Sequence, residues 1–191
     1  MIRYPVSGAI LAGGKSLRMG TQKALVVWNN KPLVQWVFES MQEVCSEVLI
    51  IANEGDFSFL NARVYPDNLT GNGPAGGIES ALSHASTNSI LISSCDTPNL
   101  DSRLFRHLID HHGDFDISIC GHDGTDEPLI GLFNRSVRDV FRSSILSGNN
   151  RPPRIIRQTR WQAVEITPDL DFYQPDLFLN LNYPSDLEGI V

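Results

Sequence analysis

The side chains with most chemistry to offer lie between Ala9 and Lys23, AILAGGKSLRMGTQK. An apolar run, Val6, Ala9, Ile10 and Leu11, breaks into Ala12-Gly13-Gly14. Three cations follow, Lys15, Arg18 and Lys23, with Gly20 between the last two. A buried strand that ends in glycines offers backbone N–H groups with no Cβ to hold a ligand off. Such donors beside fixed positive charge suit a polyanion. The chemistry implied is the holding of a nucleoside triphosphate at the end of the first strand. Two adjacent glycines alone would equally suit an ordinary turn with exposed basic residues; the Ser16, Arg18, Met19, Gly20 and Lys23 that follow favour the ligand.

Two familiar phosphate loops do not fit. Gly14-Lys15-Ser16 would need a glycine at position 9 to complete a Walker A loop, and that residue is Ala9, with Gly8 one place off. The dinucleotide fingerprint G-x-G-x-x-G is missing as well. A kinase or ATPase of the P-loop kind is therefore disfavoured.

The run L-A-G-G-x-S-x-R-M-G-x-x-K stands here as Leu11, Ala12, Gly13, Gly14, Ser16, Arg18, Met19, Gly20 and Lys23, without gap or substitution. It resembles the signature of nucleotidyltransferases, specifically the molybdenum cofactor guanylyltransferases.

The elements that must position this loop follow from the apolar pattern. Val6 to Leu11 is too uniformly apolar for a half-exposed strand and reads as a buried one. Ala24 to Trp28 reads as a short extended segment closed by Asn29-Asn30, and Lys31-Pro32 opens a helix with Leu33, Trp36, Val37, Ser40, Met41 and Val44 on one face. Val48 to Ala52 is a second buried strand ending at Asn53, and Arg63 to Asp67 a shorter third. Asn68 to Gly77 is predicted to be a glycine-rich loop, and Ile78 to Ala85 a helix. Ile90 to Ile92 is the next buried strand, running out through Cys95 to Asp96. Leu104 to His112, Ser136 to Leu146 and Pro152 to Arg157 read as helices. Asp116 to Cys120, Pro128 to Phe133 and Trp161 to Ile166 read as strands, the first two separated by a polar loop, Gly121 to Glu127. Phe178 to Asn182 is predicted to be extended, with a terminal helix from Pro184. Strands alternate with helices, which implies a three-layer α/β fold with a mainly parallel sheet.

In such a sheet, ligands bind along the carboxyl edge of the strands. Asp96 falls there and offers a hard carboxylate for Mg²⁺, although Thr97-Pro98 and the helix ahead also suit a cap. Asp67 and Asn53, each at a strand end, suit a ribose or base; a plain turn role for Asp67 is equally open. His107 and His111 are four apart but lack further zinc ligands at suitable spacing. His112 and His122 add nothing specific.

Bulk properties narrow the classes. The 191 residues are 41% hydrophobic and 19% charged, as in an ordinary globular protein. The net charge of −7 argues against nucleic acid or an acidic membrane as partner. Arg151, Arg154, Arg157 and Arg160 read as a solvated helix face. The three cysteines, Cys45, Cys95 and Cys120, form no C-x-x-C pair and suggest buried thiols in a reducing compartment. The expectation is a single cytoplasmic domain, 1–191, binding nucleotide within about 1–100 and acceptor within about 101–191, as a monomer or weak oligomer.

The resemblance spans nearly the whole chain. Gly73, Pro74, Gly77 and Ile78 match G-P-x-x-G-I; Cys95, Asp96 and Pro98 match C-D-x-P; Asn180, Asn182, Pro184, Asp186 and Leu187 match N-x-N-x-P-x-D-L. It implies a Rossmann-like nucleotidyltransferase fold with a mixed, mainly parallel sheet. It also implies transfer of GMP from GTP, with Mg²⁺, to molybdopterin, with transient contact with pterin carriers or molybdoenzymes. By that match Leu11, Ala12, Gly13, Gly14, Lys23, Asn53, Asp67 and Asp96 surround GTP. Asp96 takes the metal, Arg18 and Lys23 neutralise charge, and Asn180 and Asn182 face the acceptor. Ala75, Glu127, Tyr183 and Ser185 depart from the commoner residues, nearer base and acceptor than reacting phosphate. A cytidylyltransferase of the same superfamily and a non-catalytic nucleotide-binding protein are the alternatives.

Overall fold

The computed structural model describes residues 3–13 and 22–182. In chain order its strands and helices are β1 (Tyr4–Leu11), β2 (Val27–Trp28), β3 (Lys31–Pro32), α1 (Leu33–Gln42), β4 (Cys45–Ile51), β5 (Arg63–Tyr65), α2 (Gly73–His84), β6 (Ser89–Ser94), α3 (Ser102–Asp110), β7 (Ile117–His122), β8 (Thr125–Asn134), α4 (Arg138–Leu146), α5 (Pro152–Ile156) and β9 (Trp161–Glu165).

The apolar run at the start becomes the middle of a seven-stranded sheet ordered β5-β4-β1-β6-β8-β7-β9. Its strands run in one direction except β8, which is antiparallel to β6 and β7. A strand buried on both sides needs a helical layer on each, and alternate side chains serve the two. Val6 and Ile10 pack with Val37, Phe38 and Met41 of α1 and Leu104, Phe105 and Leu108 of α3. Ala9 and Leu11 pack with Ile78 and Leu82 of α2, Phe141 of α4 and Ile155 of α5. The three-layer, mainly parallel architecture expected from the sequence is the one observed.

The chain leaves β1 toward β4 and β5, then returns to the other side of β1 as β6. That reversal opens a crevice at the carboxyl ends of β1 and β6, where open α/β sheets take their ligands.

Several local expectations are corrected. The glycine-rich loop is shorter than predicted, because α2 begins at Gly73 with Pro74 in its first turn, a place where proline costs no hydrogen bond. Gly76 and Gly77 serve close packing: a Cβ on Gly76 would stand 2.8 Å from Leu69 O, and one on Gly77 3.1 Å from Leu11 Cδ2. The polar stretch 121–127 is mostly strand. Asp123 and Gly124 (φ +49° and +74°) make a two-residue turn of the kind that joins twisted antiparallel strands, so β7 runs on to His122. Lys31-Pro32 pairs with β2 before α1 starts, and the buried face of α1 includes Val34 and Phe38. Leu146 is 70% exposed while Ser144 is buried. Residues 178–182 belong to no strand, and the terminal helix predicted from Pro184 lies outside the described residues.

Candidate active site

Every strand that runs with β1 delivers its carboxyl end to one rim. Ala12 and Gly13 follow β1, Asn53 follows β4, Asp67 follows β5, Asp96 follows β6, and His122 closes β7. Lys23, at the start of a short 3₁₀ turn (Lys23–Leu25), reaches across the β1–β6 crevice, and its Nζ lies 2.6 Å from Asp96 Oδ2. Each of these side chains is 17% exposed. The same ammonium donates to Asn182 Oδ1 (2.6 Å) and, more weakly, to Asn180 Oδ1 (3.4 Å). Its three N–H groups thus meet three oxygens. Between the two asparagines, Leu181 is buried against Trp28 and Leu33, and its N–H donates to Asp96 O (3.0 Å).

A second polar pair lies on the far side of β1. Asn53 Nδ2 donates to Asp67 Oδ2 and Asp67 N–H donates to Asn53 Oδ1, both at 2.9 Å. The carboxylate is flanked by glycines: a Cβ on Gly13 would lie 3.9 Å from Oδ2, and one on Gly77 3.7 Å from Oδ1. Gln22 ties the first loop to the turn after β4, its Nε2 donating to Glu54 O (2.6 Å) and Ala12 O (3.2 Å). Its amide fills the place a Cβ on Gly55 would need, and Gly55 has φ +106°.

Buried polar atoms almost always have a partner. Among the described residues those without one are Gln22 Oε1, Trp28 Nε1, Asp67 Oδ1, Asp96 Oδ1 and Thr97 Oγ1. All but Trp28 Nε1 belong to the loops or strand ends just described. Asp96 Oδ1 is a hard oxygen with no hydrogen bond to satisfy it, which suits a divalent cation. No group of three or more His, Cys, Asp or Glu side chains among the described residues is arranged to hold a metal. A cation here would therefore take one carboxylate and complete its shell with substrate phosphate and water, the habit of Mg²⁺.

Lys23, Asp96, Asn180 and Asn182 are brought together, with Leu11 and Ala12 lining the same crevice; Leu11 O accepts from Cys95 N–H (3.3 Å). Asn53, Asp67 and Gly13 form the neighbouring cluster. Gly14 and Arg18 lie outside the described residues. The rings of His107 and His111 lie 4.0 Å apart at a 32° tilt, and His112 is bonded to Ser118 and Asn134. Arg151, Arg154, Arg157 and Arg160 are exposed, as expected of a solvated face. Gln22, Thr97 and His122 were not foreseen in the site. For His122 the signal was available in Asp123-Gly124, which marks a hairpin.

The chain's likeness to known proteins agrees with this geometry. A family model described as a MobA-like NTP transferase domain matches residues 8–164. The chain belongs to this family. Among relatives, the probable molybdenum cofactor guanylyltransferase of Carboxydothermus hydrogenoformans is 33% identical, over 96% of this chain and 93% of that protein. The molybdenum cofactor guanylyltransferase of Vibrio vulnificus is 30% identical, over 95% and 92%. The crystal structure of molybdopterin-guanine dinucleotide biosynthesis protein A from Archaeoglobus fulgidus superposes with a TM-score of 0.81 at 25% identity, over 95% of each chain. As a member of the NTP transferase family the chain is a nucleotidyltransferase. No helix among the described residues is long and apolar enough to cross a membrane.

Proposed function

We propose that this protein transfers GMP from GTP to the terminal phosphate of molybdopterin, forming the guanine dinucleotide cofactor and releasing pyrophosphate. Family membership and the names of the relatives support the reaction class and both substrates. The observation that carries the reading is the meeting of Lys23 and Asp96 at 2.6 Å across the crevice at the end of β1.

In this reading an oxygen of the pterin phosphate attacks the α-phosphorus of GTP. The bond from that phosphorus to the pyrophosphate oxygen breaks in line, and its electron pair leaves with pyrophosphate. A phosphomonoester with a second pKa of about 6 is largely dianionic at neutral pH, so no proton has to be removed. Catalysis reduces to positioning and charge balance. Lys23 and Arg18 balance the triphosphate, while the backbone at Leu11, Ala12, Gly13 and Gly14 allows it close approach. Asn53 and Asp67 take the ribose and base. Asn180 and Asn182 orient the acceptor, and Asp96 would hold Mg²⁺, which when bound would supply neutralisation of the phosphate charge. Triphosphate binding takes Lys23 off one or more of its three protein acceptors.

The division of labour follows the chain within a single domain: residues to about 100 hold the nucleotide, and those from about 101 the acceptor. Three buried free thiols accord with a reducing, cytoplasmic setting.

The test is to incubate the protein with Mg²⁺, molybdopterin and GTP, CTP or ATP in turn, and to weigh the product. The expected result is a guanine dinucleotide from GTP, with little from the others. A cytosine dinucleotide as main product would move the chain to the cytidylyltransferases, and no adduct from any of the three would end the transferase reading.

A further inference from the structure

The segment that brings Asn180 and Asn182 to Lys23 has no strand pairing of its own; besides the Leu181 N–H bond to Asp96 O, side chains help to hold it. At its start Arg103 Nη1 donates to Asp171 O (3.3 Å), and Asn99 Nδ2 donates to Asp176 O and Oδ2 (2.9 Å each). Leu177 and Leu181 are buried. Between those two leucines Phe178 lies flat on the imidazole of His122, ring centroids 4.0 Å apart and planes 2° from parallel.

His122 is well placed to fix that ring. It is the last residue of β7, at the same rim as Asp96, and its Nε2 lies 3.1 Å from Glu127 Oε1 on β8. Nδ1 faces Asp123 at 3.8 Å, a side chain that is 80% exposed. A carboxylate on one ring nitrogen prevents the imidazole from turning about its Cβ–Cγ bond, so the plane offered to Phe178 is set by the hairpin.

We propose that His122, held by Glu127, is a positioning residue for the acceptor. Through Phe178 it sets where Asn180 and Asn182 stand, and so where the acceptor phosphate is presented. The inference rests on the transfer reading above for the identity of the acceptor. It separates the two substrates, because β8 and β6 stand between β7 and β1, and Asn53 and Asp67 lie beyond β1. Loss of the stack loosens the asparagines and leaves the nucleotide pair untouched.

The experiment compares His122→Ala, His122→Phe and Phe178→Leu with the wild-type protein. It uses GTP, Mg²⁺ and molybdopterin as substrates, and reads amide hydrogen exchange over residues 176–182 in parallel. His122→Ala and Phe178→Leu are expected to raise KM for molybdopterin about five- to tenfold, the range an aromatic pair supports. KM for GTP should stay within about twofold, and exchange in the segment should be faster. His122→Phe keeps a flat ring but loses the tie to Glu127, so its molybdopterin KM should fall between those of the wild type and His122→Ala. Phe178→Leu reads the same contact from its other side if His122→Ala does not fold. An unchanged molybdopterin KM in an active variant, equal rises for both substrates, or unaltered exchange would overturn the inference and leave the transferase reading intact. A wild-type protein that makes no dinucleotide would overturn the transferase reading itself, and this inference with it.

Discussion

Lys23 and Asp96 stand 73 positions apart in the chain, yet their charged ends meet at 2.6 Å across the crevice between β1 and β6. With both side chains only 17% exposed, the cost of taking the two charges out of water offsets much of their attraction, so the pair is a weak source of net stability. Its value lies in geometry: a cation from the 3₁₀ turn and a carboxylate from the end of β6 are held together at the crevice, which in the transfer reading is where a triphosphate and its metal would need both.

Replacement of either partner should therefore cost turnover far more than folding. Asp96→Asn keeps the shape and removes the charge, and its kcat is expected to fall about 100-fold or more. Lys23→Met should raise KM for GTP and lower kcat together. Steady-state kinetics with thermal melting as control checks both, the melting point moving by no more than about 5 °C. Full Mg²⁺-dependent turnover by Asp96→Asn would remove that residue from the metal site.

A second prediction concerns acid. Burial pushes the Glu47 carboxyl up, but hydrogen bonds from Ser7 and Ser86 and the Arg63 guanidinium beside it outweigh this and bring it down to about 2. Ser7 Oγ and Ser86 Oγ each donate at 2.6 Å. The folded value lies below the ordinary 4.5, so the ionised form favours the folded chain. Its contribution is complete above pH 4.5 and drains away as the pH falls toward 2. Urea unfolding across that range should show wild-type stability falling with acid, and Glu47→Gln should lack this part of the slope.

The bulged strand β8 yields a third. Register shifts between Ile119 and Cys120 where Pro128, lacking an N–H, interrupts the ladder. Just beyond, a Cβ on Gly131 would stand 2.5 Å from Ser118 O and 3.0 Å from Ile119 Cα. Backbone cannot yield as a flexible side chain does, so Gly131→Ala should destabilise by about 1–3 kcal/mol. Chemical denaturation measures it; a variant as stable as the wild type would show that the two strands separate more easily than their packing implies.

The thiols provide a fourth. Burial pushes Cys45 and Cys95 up to about 12, and Cys120 well above its ordinary value. Cys95 adjoins Asp96 and is still only 6% exposed. An aromatic disulfide reagent at neutral pH should label none of the three in the folded protein and all three in denaturant. Prompt labelling of Cys95 alone would mean that the end of β6 opens locally.

What could be read in advance follows a physical division. Parallel strands put their carboxyl ends on one rim, so residues that exit apolar runs, such as Asn53, Asp67 and Asp96, could be grouped without coordinates. Gly73 to Gly77 was misread because glycine has two uses, turning and close approach, and composition does not tell them apart. Here Leu69 O and Leu11 Cδ2 demand the second. The polar run 121–127 hid a strand pair at the edge of the site, and with it His122. Asn180 and Asn182 had no periodicity to announce them; their place came from motif resemblance, since the segment is held by side-chain contacts distant in sequence.

The reversed strand β8 has a consequence for how such an enzyme changes over time. It lets the chain double back beside β6 without a helical crossover, bringing a two-residue hairpin tip level with the mouth of the crevice. That tip can be lengthened, shortened or recharged while the neighbours of β1 keep their alignment. In the transfer reading, the recipient of the nucleotide is then free to drift from lineage to lineage around a donor half that stays put.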